Sequence, residues 1–474
     1  MIGFLLKGLL RDRSRSLFPV LVVAAGVMLT VFMSAWVQGE NHEFVRASAA
    51  FQTGHVKVTT RAYAEKADEM PNDLAIGGVS GMLAGLSERF PRFIWTPRIK
   101  FGGLLDIPDS LGETRSQGPV VGMAVDLLSD SSPEPGLLNL KPALVQGRMP
   151  NAPGEIIVSD DLARKLKVGP GDRATLFGST MFGSMATANF TIAGTVRFGI
   201  TALDKGAIIA DVADVQAALD MTDAAGEIVG FSRSGEYDDR AARQTSREFN
   251  QRSDMTGAGH DRNSPGVSDR VPSPSEGLSP LSGESATLPG LSGTGPLDHS
   301  TTGALPVDPY APVMAALPDQ GGLGQVLALH RFSLGIVIAV FMFAMSLVLW
   351  NAGLMGSLRR YGEFGVRLAI GERKAHLYRT LILESVMVGV IGTVLGTAIG
   401  LGVAYWLQAT GLNFGSMLKG ASVMVSQVLR PHVTATCYYI GLIPGLGATV
   451  IGAMISGATV FRRQTSTLIK ELEL

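Results

Sequence analysis

Four long stretches without a charged residue constrain this chain more than any other feature of its sequence. They lie between Arg15 and Glu40, Arg331 and Arg359, Glu384 and Lys419, and Arg430 and Arg462. A helix needs about 20 predominantly apolar residues to cross the hydrocarbon core of a bilayer, and each stretch is long enough. The sequence therefore predicts an integral membrane α-helical protein with four transmembrane helices.

The first uncharged stretch could also belong to a signal peptide that is cleaved off. Its apolar part, from Leu17 to Val37, is longer than the core of a signal peptide, which has about 7–15 residues. No clear small-residue cleavage motif follows it. We therefore expect an uncleaved membrane anchor.

Basic residues that flank the spans predict the orientation. Lys and Arg cluster before the first span, between the second and third spans, and after the fourth, whereas Lys419 and Arg430 alone lie between the third and fourth. Short basic segments stay in the cytoplasm, so both termini and the loop 359–379 are predicted to be cytoplasmic. The result is a 1+3 topology: one helix, a large domain outside the cytoplasm, then three helices.

The region between the first two spans is typical of a mixed α/β domain. A helix is predicted from Val212 to Leu219, and Ser159 or Asp160 is predicted to cap another. We interpret Asp160 and Asp161 as residues of a helix start on a solvated surface rather than as an acid–base pair. Strand-like patterns occur at Thr53–Thr60, Pro119–Val125, Glu155–Val158, Arg173–Phe177, Phe190–Val196 and Ala207–Ala210.

A change in composition marks a separate segment before the second span. Residues 257–308 are rich in Gly, Pro and Ser and contain no aromatic residue. Such a segment buries too little apolar surface to offset the entropy of ordering it. We predict a disordered insert over residues 233–319.

The predicted segments follow one another along the chain. They are a basic cytoplasmic segment (1–15), the first span (16–39), the outer α/β domain (40–232), the insert (233–319), a return to the membrane (320–330), the second span (331–358), a cytoplasmic loop (359–379), the third span (380–408), a short outer loop (409–431), the fourth span (432–461) and a cytoplasmic tail (462–474).

Composition and motifs argue against several kinds of chemistry. The formal net charge is −1, so nothing indicates nucleic-acid binding. Cys437 is the single cysteine and the seven histidines are far apart, so neither an intrachain disulfide nor a metal site is predicted. No G-x-x-x-x-G-K-[ST] phosphate loop and no Ser/His/Asp or Cys/His arrangement stands out. We expect no catalytic residue and no cofactor on this chain.

Two features of the third span are candidates for a role within the membrane. Gly392, Gly396 and Gly400 recur at every fourth residue, so they share one helix face that allows close contact with another helix. That contact is either packing within the chain, the simpler interpretation, or an interface with a second chain. Glu384 lies near the predicted cytoplasmic end, where an acid is either functional or paired with a neighbouring arginine.

The predicted cytoplasmic loop and the start of the third span carry a motif. Its residues are Arg360, Glu363, Phe364, Gly365, Arg367, Ala369, Ile370, Gly371, Glu384 and Ser385. They resemble the loop R-x-x-E-[FI]-G-x-x-R-A-[IL]-G-A and the following ES motif of the permeases of the FtsX/MacB superfamily, which includes the lipoprotein-releasing Lol permeases. Leu368 interrupts the usual arginine–alanine adjacency. The basic start of the chain and the segment GEIIVSDDLARKLKVGPGD are also similar to the family.

This resemblance implies a multi-pass permease of the bacterial cytoplasmic (inner) membrane. It would work with a dimer of ABC ATPase subunits and a second permease chain, identical or different, among membrane lipids. ATP and magnesium would bind to the ATPase, and this chain would be non-catalytic. Movement of the spans would be passed to the outer domain by mechanotransmission, with lipoprotein release or lipid or small-molecule export as the outcome. The residues given the ATPase-coupling role are Glu363, Phe364, Gly365, Arg367 and Gly371.

Two further interpretations remain open. One is a regulator that transmits force to a cell-wall hydrolase outside the cytoplasm, although such proteins usually have a smaller outer domain. The other is a membrane-anchored receptor without an ATPase, which the motif in the cytoplasmic loop argues against.

Overall fold

The computed structural model describes residues 13–198, 201–257, 308–358, 361–413 and 428–462. Several predicted segments therefore lie partly outside the described residues. They are the start of the basic N-terminal segment, the centre of the insert (258–307), most of the short outer loop and nearly all of the C-terminal tail.

Thirteen α-helices are described. They are α1 (Arg13–Ser48), α2 (Arg61–Glu65), α3 (Val79–Arg89), α4 (Glu134–Leu137), α5 (Leu140–Ala143), α6 (Asp160–Leu166), α7 (Thr201–Asp204), α8 (Val212–Ala218), α9 (Asp239–Gly257), α10 (Leu323–Leu358), α11 (Tyr361–Ala369), α12 (Lys374–Thr410) and α13 (Thr449–Arg462).

Fourteen strands are described. They are β1 (Val56–Thr60), β2 (Ile76–Gly77), β3 (Phe93–Pro108), β4 (Thr114–Val125), β5 (Leu144–Gly147), β6 (Glu155–Ser159), β7 (Arg173–Ser179), β8 (Met185–Val196), β9 (Ala207–Asp211), β10 (Ala224–Ala225), β11 (Glu227–Ser232), β12 (Pro312–Ala316), β13 (Leu412–Asn413) and β14 (Val428–Leu429).

Four helical segments are long and apolar enough to cross a membrane: Leu17–Thr53, Leu323–Asn351, Lys374–Thr410 and Ala435–Ala458. The prediction of four apolar helices is confirmed. The first helix runs on past the predicted end of the span, because α1 continues to Ser48 and a π-helical turn continues to Thr53. The fourth is irregular at its start, where a π-helical segment, Ile443–Ala448, precedes α13.

A ten-stranded sheet forms the centre of the α/β domain, in the order β12-β1-β11-β3-β4-β9-β6-β8-β5, with β7 paired to both β3 and β8. That double pairing closes six strands, β3, β4, β9, β6, β8 and β7, into a ring. The main core takes Leu105, Ile156, Ile192 and Ile208 from four different strands of the ring. Beyond the ring, β11, β1 and β12 extend the sheet from the first part of β3.

The six predicted strands and the helix predicted after β9 are confirmed, with ends that shift by a few residues. The predicted cap is also confirmed, because the Ser159 hydroxyl accepts a hydrogen bond from the amide of Leu162 at 3.2 Å. The solvated interpretation of Asp160 is wrong. Its carboxylate is buried and pairs with Arg164 and Arg197, each at 3.1 Å, because β8 places Arg197 beside the helix start.

The predicted disordered insert, 233–319, is wrong where its residues are described. Helix α9 and strand β12 both lie within it, and they stabilise each other. The Asn250 side chain donates to the carbonyl of Met314 at 2.9 Å and accepts from its amide at 2.8 Å. An amide side chain thus satisfies the free backbone groups of an edge strand, an arrangement that composition does not reveal.

Candidate functional site

The segment between the second and third membrane helices is the short helix α11. Gly365 is buried, whereas Arg367 is exposed. Val366 is 50% exposed and Ile370 is 81% exposed, and their spacing of four residues places them on one face. Glu363 lies, with Phe364, on the first half of α11, where the backbone alone is described. The segment therefore presents apolar and basic side chains side by side.

Gly371 ends this helix. Its φ of 97° is in the left-handed region, which costs a residue with a Cβ about 1–2 kcal/mol. The amide of Gly371 donates to the carbonyl of Leu368, and that of Glu372 donates to Arg367, both at 3.1 Å. This pair of bonds is the Schellman arrangement, which satisfies the last carbonyls and turns the chain sharply toward α12.

The three glycines of the third membrane helix face the first membrane helix of the same chain. A Cβ added at Gly392 would lie 2.6 Å from Val23 Cγ1, and one at Gly400 would lie 3.0 Å from the carbonyl oxygen of Met28. The Gly396 position also meets the backbone of α1. The glycines therefore let two backbones approach where side chains would hold them apart.

The fourth membrane helix joins the same contact. Gly445 abuts both Thr393 on α12 and Val27 on α1, so these three helices meet at a single level. Val27, Val31 and Leu349 have no exposed surface and form the centre of the membrane core. Glu384 lies nearer the start of α12, where it is half-buried.

The other end of the bundle leads directly into the α/β domain, which was not anticipated from the sequence. An apolar cluster joins the end of the first membrane helix (Val45 and Ala49) to the start of α10 (Leu323 and Leu327), with Phe231 of β11 between them. Both membrane helices are therefore packed against the part of the sheet that contains β11. The cluster combines residues far apart in sequence, so no local pattern could have identified it.

The turn before α10 adds hydrogen bonds to this joint. The Gln320 side chain donates to the carbonyl of Thr53 at 3.3 Å and to that of Ala315 at 3.1 Å. The end of the first helical segment, the last part of β12 and the approach to the second membrane helix are thereby tied together. Within the described parts of the chain, no group of three or more His, Cys, Asp or Glu side chains is placed to hold a metal ion.

Two family models match the chain. The MacB-like periplasmic core domain matches residues 16–247, and the FtsX-like permease C-terminal domain matches residues 335–465. The chain belongs to the FtsX/MacB family of ABC permeases. The resemblance drawn from the loop motif is confirmed, and the order of the two models along this FtsX/MacB permease matches the α/β domain followed by the last three helices.

Three relatives of this FtsX/MacB permease are each named macrolide export ATP-binding/permease protein MacB. The protein of Hyphomonas neptunium is 29% identical over 116 residues, which is 24% of this chain and 17% of the relative. That of Rhodopseudomonas palustris is 34% identical over 100 residues, 20% of this chain and 15% of the relative. That of Wolinella succinogenes is 31% identical over 78 residues, 16% of this chain and 12% of the relative.

The matches thus span no more than 17% of the length of these relatives. Among solved structures, the periplasmic region of MacB from Actinobacillus actinomycetemcomitans is 11% identical, with a TM-score of 0.30, and the match covers 45% of this chain and 95% of that one.

Proposed function

We propose that this chain is the membrane permease subunit of an ABC exporter whose ATP is hydrolysed by a separate ATPase subunit. The observation that carries this proposal is α11, a short helix between two membrane helices. Val366 on this helix and Ile370 directly after it are exposed on one face. Exposed apolar side chains beside basic ones are typical of a docking surface. In this proposal the ATPase contacts Glu363, Phe364, Gly365, Arg367 and Gly371.

We place α11 and both termini in the cytoplasm and the α/β domain outside, the 1+3 topology. Basic residues near α11 support this, since Arg373, Lys374 and Arg379 begin the third membrane helix. Tyr405 and Trp406 lie at the opposite end of that helix, where aromatic residues mark the membrane interface. Nucleotide-driven closure of the ATPase would then move α1 and α10, and their joint would pass the movement to the outer domain.

The names of the relatives favour export of a small molecule of the macrolide kind. Lipoprotein release is the second candidate, because the stretch TGHVKVTTRAYAEK (53–66) resembles the early outer domain of lipoprotein-releasing permeases. A regulator of a cell-wall hydrolase would bind that hydrolase, whereas a receptor would bind no ATPase. Each alternative therefore predicts a different set of associated proteins.

Affinity purification of the tagged full-length chain in mild detergent, followed by mass spectrometry, tests the proposal. We expect a stoichiometric ATPase with a phosphate-loop motif, together with a second permease chain. A co-purified acylated protein would move the substrate class to lipoproteins. Absence of an ATPase, under conditions that keep other ABC complexes intact, would refute the permease function.

A further inference from the structure

The first membrane helix ends in carbonyl groups that need donors from elsewhere. The last carbonyls of any helix lack intrahelical partners, and the end of a helix carries a partial negative charge. Here the carbonyl of Ala50 accepts from the Arg98 guanidinium at 2.7 Å. The carbonyl of Gln52 accepts from the ammonium groups of Lys57 at 3.4 Å and Lys100 at 3.3 Å. Three cations from β1 and β3 therefore surround the helix end.

Two buried carboxylates hold these cations in place. Arg98 and Glu134, both without exposed surface, form a two-point ion pair with distances of 2.9 and 2.7 Å. Glu227 pairs with Lys57 at 3.1 Å and with Lys100 at 3.0 Å. Burial alone would raise the pKa of Glu227, but the charges of Lys100 and Lys57 lower it to about 2. Glu227 is therefore ionised at neutral pH.

The charges of the cluster are balanced only when the carbonyl groups of the helix end are included. Three cations face two carboxylates, and the remaining positive charge lies against the carbonyls of Ala50 and Gln52. A buried ion pair adds little net stability compared with apolar side chains of the same volume. Its directional hydrogen bonds do hold the partners in one geometry, which apolar packing does not require.

The same cluster reaches several parts of the α/β domain. Glu134 begins α4 and Glu227 begins β11, while Arg98 lies on β3, the strand shared by the ring and the extended edge of the sheet. The Arg98 guanidinium also lies over the ring of Phe231, 5.3 Å from its centroid. A displacement of the helix end therefore acts on both parts of the sheet through one side chain.

We propose that Lys57, Arg98, Lys100, Glu134 and Glu227 form a helix-end clamp that transmits movement of the first membrane helix to the outer domain, with Arg98 as its central positioning residue. This inference rests on the proposed function, because it names the contacts through which a nucleotide-driven movement would leave the membrane.

The test uses the full-length chain with its ATPase in lipid nanodiscs. The double variant Arg98→Met/Glu134→Met removes both charges at similar volume, so that no buried charge remains unpaired. The control is Arg148→Met/Glu155→Met, which removes an ion pair of the same domain whose arginine is half-exposed. Hydrogen exchange is measured for residues 49–54 and for β3 and β11, without nucleotide and with ATP and vanadate, alongside ATP hydrolysis.

We expect the clamp variant to hydrolyse ATP and to retain its folded outer domain. Without nucleotide, exchange over residues 49–54 should become about tenfold faster than in the control, because charged hydrogen bonds to the helix end are lost. The nucleotide-driven change in β3 and β11 should disappear in the clamp variant and remain in the control.

Two results would overturn the inference in distinguishable ways. If the wild type shows a nucleotide-driven change in the outer domain that survives in the clamp variant, the clamp does not transmit movement and the proposed function stands. If the wild type shows no such change although the ATPase is bound and active, mechanotransmission itself fails, and the role of the clamp fails with it.

Discussion

His55 follows the first membrane helix and is buried against the sheet. Its Nδ1 accepts a hydrogen bond from the amide of Ser232 at 3.0 Å, which requires an unprotonated nitrogen. The edges of Phe231 and Tyr237 enclose the imidazole, with ring centroids 5.7 and 5.5 Å away. Burial lowers the pKa of His55 from 6.5 to about 4. The joint between membrane helix and sheet therefore contains a group that resists protonation.

This predicts that acid weakens the fold through His55. The pKa of His55 is lower in the folded chain than in the unfolded chain. The contribution of the neutral imidazole to the free energy of unfolding is therefore complete above pH 6.5 and is lost as the pH falls toward 4. The loss should reach about 2 kcal/mol by pH 5. Thermal unfolding at pH 7.5 and pH 5 should show a smaller acid shift for His55→Asn than for the wild type. The exposed His376→Asn serves as control, and equal shifts in all three proteins would contradict the prediction.

Gly396 supports a second prediction at this scale. A Cβ there would lie 2.8 Å from Val27 Cβ and closer still to the backbone of α1, so Gly396→Val should overpack the helix contact. We expect a loss of about 1–3 kcal/mol. Gly402→Val is the matched control, because no atom lies within 4 Å of a Cβ added at Gly402 on the same helix. In a titration with a denaturing detergent, the unfolding midpoint of Gly396→Val should be lower than that of Gly402→Val. Equal midpoints would show that the contact between α12 and α1 at Gly396 is not tight.

At the scale of elements, prediction from sequence succeeded where local chemistry decides the conformation. The Ser159 cap, the helix α6 and the two strands around it follow from capping and from a Gly-Pro-Gly turn (169–171). Strand β3 was missed because Pro97 and the pair Gly102 and Gly103 interrupt its pattern, and such residues weaken a strand in isolation. Its pairing with three other strands, β4, β7 and β11, stabilises the extended conformation that its own residues do not favour.

The helix-end clamp could not be predicted from the sequence, because its charged partners are far apart along the chain. Arg98 is 36 residues from Glu134 in the sequence, and Lys100 is 127 residues from Glu227. A single sequence shows a charged residue in a strand but not the partner that neutralises it. Helix α11 is the opposite case, because the motif that predicted this segment is contiguous in the sequence and α11 covers most of it.

Helix α11 also supports a prediction at the element scale. Gly365 is buried on α11, so Gly365→Arg should displace the helix and weaken ATPase docking by about tenfold or more, equivalent to about 1.4 kcal/mol. Transport should fall while the chain still reaches the membrane. The control is Gly169→Arg in the α/β domain, where a Cβ meets no atom within 4 Å. Normal ATPase stimulation and transport in Gly365→Arg would refute the assignment of this segment.

For the whole molecule, the central question is which side of the membrane each part occupies. Among the described residues, one apolar helix precedes the α/β domain and three follow it. The helices α1 and α12 run parallel, so the basic residues at their starts lie at the same end of the bundle. Tyr405 and Tyr438, whose hydroxyls are 2.7 Å apart, lie with Trp406 at the other end. Positive charge at one interface and aromatic residues at the other are both consistent with a cytoplasmic α11.

Cysteine labelling in intact spheroplasts tests this orientation, because Cys437 is the single native cysteine and is buried. In a Cys437→Ser background, Leu111→Cys places a thiol on the α/β domain at a residue that is 84% exposed, and Ile370→Cys places one directly after α11 at a residue that is 81% exposed. A membrane-impermeant maleimide should label Leu111→Cys at once and Ile370→Cys only after permeabilisation. The two sites are similarly exposed in the isolated chain, so labelling of Ile370→Cys that appears only on permeabilisation reports the membrane barrier. Labelling of Ile370→Cys from outside would show that the topology is the reverse of the proposed one. In that case a cytoplasmic ATPase could not contact α11.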